Sequence, residues 1–420
     1  MIHPSTRTLA FKNSDGSIIP LPTSAPLLDT FLLNQVSSTF NIQVKVVNED
    51  KRKRIFEDLM KRMDKLENEF LPQVELDSLE LDFSAVKFLE PKMLQIGIVN
   101  TGQIPVQYGF VNKPNDMHFC KPWLKIKNFS NIIMPKEKAL VDVCCEVNSD
   151  TAPLLNSGRD QLDDILVLHL ENGKDIFVTV KGVYQPSCFG ASIDALVRMT
   201  MPIREYTREK IKDFEKSSTS YDSVDSGLGN TTWLTQTNAT FGQTYDIPKE
   251  LWIMADHIHR YGRDHRNLFR HQHFDVAALK KIRETLDCEI PERLLVDDID
   301  AVAQSLIIFL ESLPDAVIPH AFHDRCLESS GSASEAARII QMLPLFHQNV
   351  FQYLMAFLKY LLLYSVTNGL DREWVASLFS TCILRTRGKL HGAKLIPQKP
   401  RVKKKMQFIL HFLDDDSSYA

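Results

Sequence analysis

The hydrophobic period of this chain changes along its length, and that change constrains the fold more than any other feature. Between Leu76 and Tyr184 apolar residues recur near every second position, in the runs Leu79–Phe83, Ala85–Leu89, Met93–Val99, Val106–Val111, Leu140–Val147, Asp164–Leu170 and Asp175–Gly182. Turn-forming groups separate them, among them Asn100-Thr-Gly, Lys113-Pro-Asn and Glu171-Asn-Gly. Short strands at such spacing predict a β-sandwich. From Pro248 to Leu413 the period becomes helical, with candidate helices at Pro248–His259, Val276–Thr285, Asp300–Leu313, Ser332–Met342, His347–Ser365, Arg372–Leu384 and Val402–Leu413. Between these halves, residues 216–246 are dominated by Ser, Thr, Asn, Gly and Asp, which predicts a disordered loop.

Ahead of the β region, residues 1–40 read mostly as loop. Ile55, Leu59, Met63 and Leu66 recur at helical spacing, which predicts an amphipathic helix of about five turns over Glu49–Phe70. Pro72 stops it. A chain of 420 residues suits two or three domains. Its net charge of -4 gives no electrostatic case for nucleic acid. The seven cysteines form no C-x-x-C pair, so neither a disulfide framework nor a zinc site is expected, and a reducing cytosol fits best. His257, His259, His265, His271 and His273 lack a metal-site spacing and read as exposed loop histidines, with no metal and no cofactor expected. The opening residues have no signal-peptide core, Val350–Leu363 is too short and polar to span a bilayer, and no C-a-a-X box ends the chain. A cytoplasmic protein is the expectation. The sequons at Asn230 and Asn238 then stay unused, and the basic run Lys399–Lys405 reads as solvated charge.

Several segments carry a resemblance. They are Cys120-Lys-Pro-Trp-Leu, Leu155-Asn-Ser-Gly, Asp164-Ile-Leu-Val-Leu-His-Leu, Gly173-Lys-Asp, Pro186-Ser-Cys-Phe-Gly, Pro248-Lys-Glu-Leu-Trp, Leu310-Glu-Ser-Leu-Pro and Asn349-Val-Phe-Gln-Tyr-Leu-Met-Ala-Phe-Leu. From about Phe40 onward the chain resembles the family of the Lowe-syndrome and type II inositol polyphosphate 5-phosphatases. The resemblance implies a β-then-α organisation: an immunoglobulin-like β-sandwich (an ASH domain) followed by an all-α RhoGAP-like domain. Its divisions fall at 1–48 (an N-terminal segment, from about 40 the tail of a phosphatase domain), 49–71 (a linking helix), 74–186 (ASH), 187–247 (a connector) and 248–415 (RhoGAP-like). The phosphatase motifs W-x-G-D-x-N, P-x-W-C-D-R and S-D-H-x-P do not occur in this sequence, so phosphoinositide hydrolysis is not expected of it.

The resemblance also implies partners. The ASH domain and its preceding helix would bind Rab GTPases, with Phe177 and Phe56 on the docking face. Alternation along Asp175–Lys181 places Phe177 and Thr179 opposite the more apolar face of Ile176, Val178 and Val180. The helical domain would bind short helical peptides carrying Phe and His, found in endocytic adaptors, with Trp252 lining the groove. On that helix Leu251, Ala255 and Ile258 make the better core face, and Trp252 lies about 100° round from Leu251. Rho-type GTPases bound without faster hydrolysis are a further implied partner. Location would be cytoplasmic and peripheral, on early endosomes, Golgi-derived or phagocytic vesicle membranes.

A GTPase-activating domain inserts an arginine to stabilise charge on the transferred phosphoryl group. Arg270, after Asn267-Leu-Phe, stands at the matching place. Its support is missing: Ile307 replaces the pattern's lysine, Glu311 its arginine and Trp374 its asparagine, while His271-Gln-His replaces the loop glycine. A non-catalytic adaptor is therefore expected, the alternative being an active Rho-family GTPase-activating protein that uses Arg270. Ile211-Lys-Asp-Phe-Glu falls where one family member has a clathrin box, but Lys212 breaks the pattern.

Overall fold

The computed structural model describes residues 10–12, 18–20, 49–69, 71–114, 116–218, 246–270, 275–292, 294–385 and 399–414. The chain divides into two compact units, Met1–Leu71 and Pro72–Ala420. In the first, β1 (Ala10–Lys12) pairs antiparallel with β2 (Ile18–Pro20), within a region read from sequence mostly as loop. Helix α1 (Glu49–Glu69) follows, ending ahead of Pro72. Its apolar positions Ile55, Phe56, Leu59 and Met63 are exposed.

The second unit begins with two sheets. One has the order β3 (Val74–Leu76), β5 (Lys92–Asn100), β9 (Lys138–Cys145), β7 (Leu124–Lys127). The other runs β4 (Glu80–Val86), β11 (Asp175–Tyr184), β10 (Asp163–Leu170), β6 (Val106–Val111), β8 (Ser130–Ile133). Pairing is antiparallel except for β4 with β11, which run parallel through a bulge between Lys181 and Val183. Inward residues such as Ile96, Ile98, Val141, Val143, Leu166, Leu168, Val178 and Val180 are buried between the sheets with Trp123, whose indole N–H donates to Asp160 at 3.2 Å.

Three differences from the sequence reading have local causes. Leu79–Phe83 and Ala85–Leu89 belong to one strand, not two. Ser84 kinks it at φ 53°, its N–H donating to the Asp82 carboxylate at 2.7 Å. The strand stops at Val86, and Leu89 turns away at φ 52°. Strands β3, β7 and β8 have only three or four residues each, too few to show a period.

The helical part comprises α2 (Ala152–Asn156), α3 (Ile193–Arg198), α4 (Arg208–Ser218), α5 (Lys249–Tyr261), α6 (Val276–Cys288), α7 (Ile299–Ser312), α8 (His323–Glu328), α9 (Ala333–Gln341), α10 (Leu345–Leu363), α11 (Ser365–Asn368), α12 (Arg372–Ile383) and α13 (Lys399–Leu413). Residues 187–218, read as part of a connector, bury Cys188, Phe189, Ile193, Leu196, Ile203 and Ile211. Helix α4 extends to Ser218, so residues 216–218 are helical and not loop. Residues 219–245 of that loop lie outside the described residues, as do the sequons at Asn230 and Asn238. Burial of Ile211 at 1% exposure also removes it from any exposed clathrin-type motif.

The sandwich and the helices meet across a sealed seam. Phe189 stacks on Phe88 of the sandwich, with centroids 5.2 Å apart, and meets Phe309 of α7 edge-on at 5.9 Å. Arg283 on α6 is buried and donates to the Phe88 carbonyl and the Glu90 carboxylate. Asp287, one turn on, accepts from the Cys188 N–H at 2.8 Å, the Ser187 hydroxyl at 3.0 Å and Arg204 at 3.1 Å. Against partial desolvation, bonds from Lys87 and Arg204 hold the neighbouring Glu284 carboxyl down to about 2. Buried charges of this kind are tolerated only when paired, and the guanidinium of Arg283 is paired through both terminal nitrogens while its Nε has no partner among the described residues.

Candidate functional site

Strand β11 has one face against the core and one in solvent, because its even-numbered residues Val178 and Val180 pack inward. Phe177 therefore stands on the outer face, 58% exposed. Its cross-strand partner on β10 is Val167, which is paired in turn with Val111 on β6. Exposed Ile165 lies beside Val167 on the same face of β10. The result is an apolar row across three strands, buried at Val167 and exposed at Phe177 and Val111, and rimmed by charge. At one end the His169 ring and the Asp175 carboxylate are 2.7 Å apart, and at the other Lys181 pairs with Glu80 and Asp82. Apolar centre and polar rim is the anatomy of a protein interface. Phe56 is likewise exposed on α1, in the other unit.

A second exposed aromatic surface lies on α5. Leu251, Ala255 and Ile258 are buried, while Trp252 is 40% exposed. Asp256 and His259 follow it at helical spacing on the same side. The His259 ring stacks on Tyr360 of α10 with centroids 3.9 Å apart, and Tyr360 in turn meets Tyr364 at 5.3 Å. Asp256 pairs with Arg260 at 2.8 Å. Tyr360 and Tyr364 enlarge this surface beyond what the sequence reading named; their spacing of four on a helix was the available signal.

The histidines were expected to be exposed loop residues, and the structure corrects this for several. His257 is buried on α5, tilted against Tyr261 at 4.8 Å, and burial lowers its pKa. His259 is helical and stacked, and His265 lies 3.0 Å from Asp300. His271 and His273 lie outside the described residues. Among the described residues no group of three or more His, Cys, Asp or Glu side chains is placed to hold a metal ion.

The arginine loop joins α5 to α6. Leu268 is fully buried, and Phe269, at φ 65°, meets buried Phe379 edge-on at 5.4 Å. Arg270 is exposed. Its guanidinium carbon sits 4.7 Å from the centre of the Trp374 ring. Trp374 is thus the residue that replaces the pattern's asparagine and also the one that holds the arginine, a contact the sequence reading missed. Ile307 is buried at 7% exposure, so its position presents no cation to this face.

Residues 76–184 match the family of inositol polyphosphate 5-phosphatase OCRL-like ASH domains, and residues 248–388 match the RhoGAP domain. The chain carries the ASH and RhoGAP domains of the inositol polyphosphate 5-phosphatase family. It is 37% identical over 378 residues to the mouse type II inositol 1,4,5-trisphosphate 5-phosphatase, which covers 90% of this chain and 36% of the relative. The chain therefore spans about a third of that relative's length. Human Rho GTPase-activating protein 24 is 29% identical over 140 residues, 31% of this chain and 19% of that protein. The solved structure of human Rho GTPase activating protein 15 superposes with a TM-score of 0.34 at 19% identity, covering 40% of this chain and 80% of that one, a likeness too slight to support an argument. The match of residues 248–388 to RhoGAP includes Arg270 and its loop but leaves their activity open, which makes the contact with Trp374 the relevant chemistry.

Proposed function

We propose that this chain acts as a non-catalytic membrane-traffic adaptor. The observation that carries the reading is Phe177, a large aromatic left in solvent at the end of an apolar row with a charged rim. Such anchors concentrate binding energy. In this reading the outer face of β11 and β10 docks a Rab GTPase through Phe177. Trp252, with the His259–Tyr360 stack beside it, receives a short amphipathic helix carrying Phe and His, and Asp256 offers an acceptor to the histidine. The helical domain binds Rho-type GTPases without accelerating hydrolysis, because Ile307 and Trp374 supply neither lysine nor asparagine around Arg270. Recruitment is peripheral, through these partners, to early endosomal, Golgi-derived or phagocytic vesicle membranes.

Capture of GTP-loaded Rab proteins by the purified chain tests the reading. Wild type is expected to retain a Rab, and Phe177→Val to lose it while melting at the same temperature. Intact capture by a folded Phe177→Val protein refutes the assigned surface. The active GTPase-activating alternative predicts that the chain raises a Rho-type GTPase rate; a clear stimulation abolished by Arg270→Ala would replace the adaptor reading.

A further inference from the structure

The position of Arg270 is defined from three sides. Its N–H donates to the Asn267 carbonyl at 2.9 Å. Phe269 wedges against Phe379 with centroids 5.4 Å apart, and the guanidinium lies 4.7 Å from the Trp374 ring centre. The backbone of Trp374 is fixed in the first turn of α12, because its main-chain N–H donates at 3.0 Å to the side chain of Asp371, the residue that caps the helix.

The strength of the stack decides what it can do. An exposed guanidinium–indole contact biases a side chain by only about two- to fivefold. That is too weak to lock an arginine away from a phosphate. It suffices to hold the fork flat before a partner arrives, which reduces the entropy lost on binding. A contact made through the guanidinium face leaves its N–H edge free for a planar oxyanion.

The surroundings favour an acidic partner. Between Arg260 and Arg270 the loop carries Arg260, Arg263, Arg266 and Arg270 against Asp264 alone. Asp264 is taken by Arg263 at 3.1 Å and Asp256 by Arg260 at 2.8 Å. Among the described residues no carboxylate pairs with Arg266 or Arg270, and both are exposed. Among the described residues, Ile307 is buried and Trp374 fills the asparagine position, so neither supplies the lysine or asparagine that would organise a phosphoryl group.

We propose that Arg270 and Trp374 form a preorganised receptor for a carboxylate on the surface of a docked Rho-type GTPase, serving affinity and not hydrolysis. The proposal rests on the reading that such a GTPase docks on the helical domain. Arg270 is a binding residue here, and Trp374 the residue that positions it.

The full chain would be titrated against Rho- and Rac-type GTPases loaded either with a non-hydrolysable GTP analogue or with GDP and aluminium fluoride. Arg270→Ala should weaken binding about three- to tenfold and Trp374→Ala about two- to fivefold, in both nucleotide states. The double variant should be no weaker than the poorer single within about twofold. Arg270→Lys keeps the charge without the fork and should lose most of the same affinity. Trp374→Phe keeps a stacking face and should bind as wild type does, which separates loss of the stack from loss of fold. If wild type binds no Rho-type GTPase, the docking reading fails and the inference with it. If wild type binds and Arg270→Ala binds equally, the inference alone is overturned. Additive losses break the pairing of the two residues, and a loss confined to the aluminium fluoride complex assigns Arg270 to the phosphoryl group instead.

Discussion

Replacing Trp252 by alanine separates a groove residue from a core residue. Complete burial of a tryptophan would make truncation cost about 3–5 kcal/mol. Trp252 is 40% exposed, so roughly three fifths of that contact is at stake. The expected loss is about 2–3 kcal/mol, less about 0.5 kcal/mol regained because alanine is the better helix former. For a unit the size of Pro72–Ala420, the melting temperature should fall by about 2–4 °C. Peptide binding should suffer more. An aromatic anchor contributes at least about 2 kcal/mol, so affinity for a helical peptide carrying Phe and His should drop about thirtyfold or more. Calorimetric melting and peptide titration on the same protein give both numbers. Unchanged peptide affinity in a folded Trp252→Ala protein refutes the groove. A protein unfolded at assay temperature refutes the partial burial on which the estimate stands.

Two further outcomes follow from buried charge. Arg283→Met keeps the stem but strips the donors from the Phe88 carbonyl and Glu90. It should cost about 3 kcal/mol, the low end for breaking a buried pair because Glu90 retains some access to water, and calorimetry showing no shift would contradict the seam. His323, 3% exposed, is kept neutral by burial, which depresses its pKa from 6.5 to about 4. The folded state then binds fewer protons than the unfolded one between those values, so stability is present above pH 6.5 and is lost as pH falls toward 4, by about 2 kcal/mol at pH 5. Burial raises Glu215 to about 7 and Asp287 to about 6, which acts in the opposite direction, so the contribution of His323 is read as the difference between wild type and His323→Gln melts at pH 7.5 and 5. Parallel pH dependence in the two proteins would remove His323 from the account.

What the sequence showed, and what it hid, follows from range. Phe177 could be placed outside because a strand with one buried face has a strict period of two. The same logic on α5 separated Leu251, Ala255 and Ile258 from Trp252. Short strands such as β7 and β8 escaped, since the corner between them depends on Asn128 at φ 57° and not on any run of apolar residues. His257 was misplaced because its polarity says exposed while its helix position points it at Tyr261. The stack of Arg270 on Trp374 joins two helix–loop junctions far apart in the chain, and no local pattern marks it.

The seam changes what the polar segment after α4 can mean. The resemblance assigned residues 187–247 to a connector, with a disordered loop read from composition at 216–246. Residues 187–218 instead pack at the junction: Arg204 reaches Glu284 at 2.5 Å and Asp287 at 3.1 Å, and Phe189 sits between Phe88 and Phe309. Helices α4 and α5, which flank residues 219–245, both belong to the unit Pro72–Ala420. The distance between them is therefore set by packing. Lengthening a loop whose ends are already fixed costs little, about 0.6 kcal/mol per doubling, so the segment can vary in length without loosening the junction. Phe177 and Trp252 then keep a fixed separation. Two partners tethered to one membrane gain from simultaneous engagement only when their spacing matches that separation, because a rigid span, unlike a flexible linker, cannot adapt to them.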